Sequence, residues 1–170
     1  ILPVPPSPQR RKAPAPKKPA PAPPAPPAPR GVAWTQWGGP HRNFQTDATG
    51  LKDTWPAGGP RVVWKRALGE GYSAPAVENG VIYTMYGKPR EEVVIAADAE
   101  TGKTLWERPN AMTFASDAPE QGNGPYSAPL VVGDRLFTTG VAGRLQCLGK
   151  RGGRGLWTQE LGGGHRGSRL

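Results

Sequence analysis

Ala96-Ala97-Asp98-Ala99-Glu100-Thr101-Gly102-Lys103-Thr104-Leu105-Trp106 reads as the end of one strand, a tight turn and the start of the next. Val93-Val94-Ile95 just before it is apolar and β-branched, the composition of a buried strand. Asp98 to Gly102 supplies the turn. An Asp carboxylate accepts hydrogen bonds from backbone two or more residues on, and Gly takes a positive φ without steric cost. Thr104-Leu105-Trp106-Glu107 then restarts an extended run, with Trp106 large enough to cover a neighbouring sheet face.

The chain carries a second copy. Cys147-Leu148-Gly149-Lys150-Arg151-Gly152-Gly153-Arg154-Gly155-Leu156-Trp157 keeps Gly153 and Trp157 at the seventh and eleventh positions, with Cys147 for the first Ala and Gly149 for the Asp. Upstream, Tyr72-Ser73-Ala74-Pro75 matches Tyr126-Ser127-Ala128-Pro129. The offset is 54 residues at the start of the unit and 51 at its tryptophan, and the difference falls in the loop Gly87–Arg90. A repeat of about 40–50 residues made of several short strands is the mark of a propeller blade. Spaced as they are, Ala96, Asp98, Gly102 and Trp106 resemble the tryptophan-docking motif of quinoprotein-type β-propellers, and Gly153 and Trp157 resemble its second half.

Trp34-Thr35-Gln36-Trp37-Gly38-Gly39-Pro40-His41-Arg42 is similar to the lead-in that precedes the first blade in bacterial quinoprotein-like repeat proteins. Arg61-Val62-Val63-Trp64-Lys65-Arg66 resembles the outgoing strands at Trp106 and Trp157, so it is the candidate for a closing strand. His41 and Arg42 are expected to satisfy loop backbone rather than face a ligand. The expected fold is all-β: four-stranded antiparallel blades of an incomplete quinoprotein-like propeller. Strands are expected at Ser73–Val77, Val81–Met85, Glu92–Ala97 and Thr104–Arg108, then at Ser127–Val132, Arg135–Thr139, Arg144–Leu148 and Leu156–Leu161. The resulting map is a lead-in at 34–70, a blade at 71–109, a connection at 110–125, a blade at 126–161 and the start of another at 162–170.

Residues 1–33 are a different material. They hold 13 of the 22 prolines and six basic residues (Arg10, Arg11, Lys12, Lys17, Lys18, Arg30) but no acidic ones. Of the formal net charge of +9, the tail therefore carries +6 and residues 34–170 only +3. With so few large apolar groups, this Pro/Ala-rich stretch is expected to be a disordered, semi-rigid linker. Its charge permits contact with an anionic surface. It lacks interleaved aromatics and a nucleic-acid-binding fold behind it, so no nucleic-acid partner is expected. No stretch is long and apolar enough for a membrane-spanning helix. Cys147 is the sole cysteine, which excludes an intrachain disulfide.

Catalytic constellations are hard to assemble from these residues. A pyrroloquinoline quinone dehydrogenase needs calcium on the quinone, a carboxylate base and flat surfaces against the ring. Asp117, Glu120 and Asn123 form the one loop cluster with hard oxygen donors, and a solvated loop is the preferred reading of it. Trp64, Trp106 and Trp157 are read as docking residues between blades rather than a cofactor floor. His165 and Cys147 fit no nucleophile–base–orienter pattern. Gly162-Gly163-Gly164 opens no helix, unlike a phosphate loop.

The resemblance to the pyrroloquinoline-quinone-like repeat superfamily covers residues 34–170. It implies a periplasmic or secreted protein that contacts protein partners through its propeller loops. That superfamily holds both calcium–quinone alcohol dehydrogenases and non-catalytic scaffolds such as the propeller lipoprotein of the outer-membrane barrel-assembly machinery. A non-catalytic scaffold is the expectation here. The alternative is part of a dehydrogenase that takes pyrroloquinoline quinone and calcium to oxidise an alcohol or sugar. Propellers close with about four to eight blades, so a two-bladed chain is expected to be part of a longer protein.

Overall fold

The computed structural model describes residues 33–111 and 124–161. Within them lie eight strands: β1 (Ala76–Glu78), β2 (Val81–Lys88), β3 (Glu91–Asp98), β4 (Thr104–Ala111), β5 (Leu130–Val132), β6 (Arg135–Thr139), β7 (Arg144–Gly149) and β8 (Gly155–Glu160). β1 to β4 form one four-stranded sheet and β5 to β8 a second, each in chain order and antiparallel throughout. The all-β, blade-by-blade expectation is borne out, and the described residues contain no helix.

Two departures have simple causes. The innermost strands begin at Ala76 and Leu130 rather than at Ser73 and Ser127. Pro75 and Pro129 have no N–H to give a ladder, and serine side chains take over ahead of them. Met85 N donates to Ser73 Oγ at 3.2 Å, and Ser127 Oγ donates to the Thr139 carbonyl. The extra residues of the first repeat, expected as a loop at Gly87–Arg90, instead lengthen a hairpin. β2 runs for 8 residues against 5 in β6. Lys88 pairs with Glu91 across the two-residue turn Pro89-Arg90, where Arg90 takes a φ of +66°. At the other end of the blade, Asn79 and Gly80 both have positive φ, 52° and 74°, as a tight two-residue hairpin turn requires.

The registers of the two blades coincide. Tyr83, Ala96 and Trp106 face one another across β2, β3 and β4, as Phe137, Cys147 and Trp157 do across β6, β7 and β8. Ala96 and Cys147 are fully buried. A small side chain at this central position lets the flanking aromatics meet over it: ring centroids are 6.2 Å apart for Tyr83 and Trp106, and 6.0 Å for Phe137 and Trp157. A register shift follows immediately after both Ala96 and Cys147, so each outer strand leaves its turn with the same bend.

The blades stack face to face. Ala76, Val81, Tyr83, Met85, Val94 and Ala96 of the first form one buried cluster with Val131, Leu136 and Leu148 of the second, and Leu105 and Trp106 pack against it. The lead-in runs along the inner edge of both blades. Trp34 exchanges backbone hydrogen bonds with Val77 at 2.8 and 2.7 Å, and Val131 N donates to the Thr35 carbonyl at 2.8 Å. Arg61–Arg66, the candidate closing strand, forms no strand and joins no ladder among the described residues. The Pro/Ala-rich tail, Asp117, Glu120, Asn123, His165, Gly162–Gly164 and the expected start of another blade lie outside the described residues.

Candidate functional site

Among the described residues, the most developed constellation is the joint where a tryptophan of one segment meets a turn of the next. Asp98 builds the first of these turns. Its carboxylate accepts from the backbone of Glu100 (3.1 Å) and Thr101 (2.8 Å) and from the Thr101 hydroxyl (2.7 Å), while Gly102 N donates to the Asp98 carbonyl at 2.9 Å. Gly102 closes the turn at a φ of +68°. The Trp64 indole rests on it and donates its N–H to the Ala99 carbonyl at 3.0 Å. Arg66 secures the same segment by donating to the Gly102 carbonyl at 3.0 Å and the Thr104 hydroxyl at 2.8 Å, with Glu107 at 3.3 Å as its ion pair.

The second turn repeats this geometry without the aspartate. Gly153 N donates to the Gly149 carbonyl at 2.9 Å, and Gly153 has a φ of +66°. The Trp106 indole lies over Gly153 and donates to the Lys150 carbonyl at 3.0 Å. In both joints the accepting carbonyl stands three residues before the glycine. Gly149 in place of Asp thus removes the side-chain brace but leaves the backbone hydrogen bond of the second turn in place. Trp157 occupies the corresponding place on β8 and is 43% exposed. The residues singled out from sequence thus form two separate joints, Trp64 with Gly102 and Trp106 with Gly153, and do not converge on one pocket.

Charged groups reinforce the second joint. Lys150 Nζ pairs with Glu78 Oε2 at the end of β1, both side chains being largely buried. These two, with Asn79, Val81, Tyr83, Leu105, Trp106 and Arg151, line a cleft of about 100 Å³ between the blades. Burial, and secondarily the Glu78 carboxylate, pushes the Tyr83 phenol well above its ordinary range. Glu92 of β3 is 5% exposed and its Oε1 accepts the Val141 N–H at 3.0 Å. Burial raises its pKa, while the Val141 hydrogen bond and the Arg144 charge act the other way. Further out, Gln146 Nε2 donates to Asn110 Oδ1 at 2.8 Å. Glu92, Glu78 and Lys150 carry no local motif. Their partners lie 49 and 72 residues away in the chain, so no spacing in the sequence marks them.

Other polar and aromatic groups sit on loops. His41 Nε2 lies 2.6 Å from Asp47 Oδ2, and Arg42 Nε donates to Gln36 Oε1 at 2.9 Å. Both are contacts within the lead-in. The same loop holds Trp37 and Phe44 edge to face, 5.3 Å apart and each more than 60% exposed. Tyr72 and Tyr126, equivalent positions of the two repeats, stack with centroids 5.9 Å apart, and both face solvent. Cys147 is buried. Among the described residues no three His, Cys, Asp or Glu side chains are grouped as metal ligands.

Stacked four-stranded meanders with repeated indole-to-turn contacts define a β-propeller protein of the pyrroloquinoline-quinone-like repeat type. Residues 54–168 match the family described as outer membrane protein assembly factor BamB, and the chain belongs to that family. It is also similar to the quinohemoprotein alcohol dehydrogenase ADH IIB of Pseudomonas putida, at 32% identity over 94 residues that make up 52% of this chain and 12% of the dehydrogenase. Among solved structures it is similar to BamB from Moraxella catarrhalis, with 21% identity, a TM-score of 0.35 and coverage of 55% of this chain and 23% of that one. A second is the quinohemoprotein alcohol dehydrogenase from Comamonas testosteroni, with 18% identity, a TM-score of 0.39 and coverage of 54% and 13%. The chain spans less than a quarter of the length of each of these relatives.

Proposed function

We propose that this chain supplies consecutive blades of an extracytoplasmic β-propeller that acts as a non-catalytic scaffold and presents its loops to protein partners. The observation that carries this reading is the division of labour among the aromatic side chains. Trp64 and Trp106 are engaged on the turns of neighbouring repeats, whereas Trp37, Phe44, Tyr72 and Tyr126 face solvent from loops. Exposed aromatics held in pairs are the kind of residue that anchors protein interfaces. Membership of a family described as an outer membrane assembly factor supports the same role. In this reading the basic tail is a tether to anionic surface polymers or membrane. Deleting residues 1–33 is then expected to abolish salt-sensitive retention on anionic vesicles.

The test is a titration of the complete protein with pyrroloquinoline quinone and calcium, followed by absorbance and by dye-linked oxidation of alcohols and sugars. A folded protein that binds neither supports the scaffold. Stoichiometric, calcium-dependent quinone binding with dye reduction overturns it. The second reading, part of a quinone- and calcium-dependent dehydrogenase, is favoured by the 32% identity to the Pseudomonas putida enzyme. In that case the calcium donors belong to parts of the protein other than the described residues.

A further inference from the structure

Tyr83 is 3% exposed, yet its hydroxyl has no hydrogen-bond partner among the described residues. A buried polar group left in that state is costly and calls for an explanation. Among the same residues only Arg108 Nε and Gln146 Oε1 are sealed from solvent without a partner, so the Tyr83 oxygen has an opening. The opening it lines is the cleft of about 100 Å³ between the blades. After burial, the Glu78 carboxylate is the group that acts on the phenol, which sets the hydroxyl on the Glu78 side of that cleft. Val81, Leu105 and Trp106 supply the apolar wall.

The polar lining is not a repeat feature. The second blade has Val132 where the first has Glu78, and Phe137 where it has Tyr83. The first turn has Ala99 and Glu100 where the second has Lys150 and Arg151. Trp64 docks on that first turn without them, so indole docking does not require these groups. Lys150 is engaged with the Glu78 carboxylate and the Gly133 carbonyl. Arg151 lines the same cleft, is exposed, and makes no ion pair among the described residues. With Glu78 and Lys150 cancelling, the lining keeps one uncancelled positive charge.

We propose that this cleft binds a small monocarboxylate with a short apolar body, its hydrocarbon part against Leu105 and Trp106 and its carboxylate accepting the Tyr83 O–H and facing Arg151. A cavity of about 150 Å³ takes benzene, so this one suits a ligand of about four to six non-hydrogen atoms. A cation is disfavoured by Lys150 and Arg151 on the lining, and a neutral alcohol leaves Arg151 without a counter-charge. Lys150 offsets the repulsion that Glu78 alone would exert on an anion. The site lies between two blades and is independent of whether the whole propeller is a scaffold or part of a dehydrogenase.

Saturation-transfer NMR of isobutyrate with the complete protein reads the binding, with isobutanol and isobutylamine as neutral and cationic probes of similar shape. Wild type is expected to bind isobutyrate saturably, with a dissociation constant on the order of millimolar, and in preference to both other probes. Tyr83→Phe keeps the ring and is expected to weaken binding about tenfold, the loss of one hydrogen bond to a charged group. Arg151→Gln is expected to weaken it several-fold and to remove its salt dependence. Absence of saturable isobutyrate binding, equal binding of the alcohol or the amine, or an affinity unchanged in either variant overturns the proposal. Should Tyr83→Phe fail to fold, Arg151→Gln at its exposed position decides: weakened binding supports the site, and unchanged binding refutes it.

Discussion

Gly153→Ala isolates what the indole-to-turn contact contributes. The new methyl would lie 2.5 Å from Trp106 Cε3, too close for the ring to stay in place. Two costs follow. An L-residue at a φ of +66° costs about 1–2 kcal/mol in backbone strain. Displacing the indole loses its hydrogen bond to the Lys150 carbonyl, worth about 1 kcal/mol, and some of its packing. The sum is about 2–4 kcal/mol. Gly133→Ala is the control. Gly133 has a φ of +59° but nothing within 4 Å of an added Cβ, so it carries the strain alone. Denaturant unfolding of the complete protein should place Gly153→Ala below Gly133→Ala by about 1–2 kcal/mol, the part beyond backbone strain. In a Trp106→Ala background that difference should vanish, because no ring remains to be displaced. Equal losses for the two glycine variants, or an unchanged gap without Trp106, would refute the docking account.

Three further outcomes are expected. Asp98→Ala removes the acceptor for three donors in its turn and should cost about 1–2 kcal/mol in thermal or denaturant unfolding, with Thr101 left unbraced. Ala96→Leu drives a branched side chain between Tyr83 and Trp106 and should cost about 1–3 kcal/mol, with a changed near-ultraviolet circular dichroism signal from the separated rings. Tyr83 resists ionisation in the folded state, so it adds stability below the ordinary phenol value that is lost as pH climbs above it. Alkaline unfolding should therefore be shallower in Tyr83→Phe than in wild type.

The repeat was open to sequence reading because its signal is local. A turn aspartate or glycine, a second glycine and a tryptophan fall within eleven residues, and their chemistry needs no distant partner. The middle and outer strands followed from the same alignment. The inner strands are shorter than their sequence suggests because a proline inside an apolar run silences the ladder. The lengthened β2–β3 hairpin resembles a loop in sequence because Gly87 and Pro89 look like punctuation, whereas only Pro89 and Arg90 turn. Glu92 and the Glu78–Lys150 pair were invisible for another reason. Their roles exist only across the interface, and an isolated glutamate near a strand start is ordinary in sequence.

Hook and seat lie in different segments: Trp64 with Gly102, Trp106 with Gly153, and Trp157, 43% exposed, in the corresponding place on β8. Each blade thus carries a receptor for its predecessor and a ligand for its successor. A segment copied in tandem inherits both halves, so lengthening such a ring by whole units requires no newly invented contact surface. The same arrangement gives the assembly a direction. A blade inserted in reversed orientation would set tryptophan against tryptophan at one boundary and turn against turn at the other. Selection is then expected to act on pairs of positions 38 and 47 residues apart, counted from Trp64 to Gly102 and from Trp106 to Gly153, rather than on the compact eleven-residue motif itself.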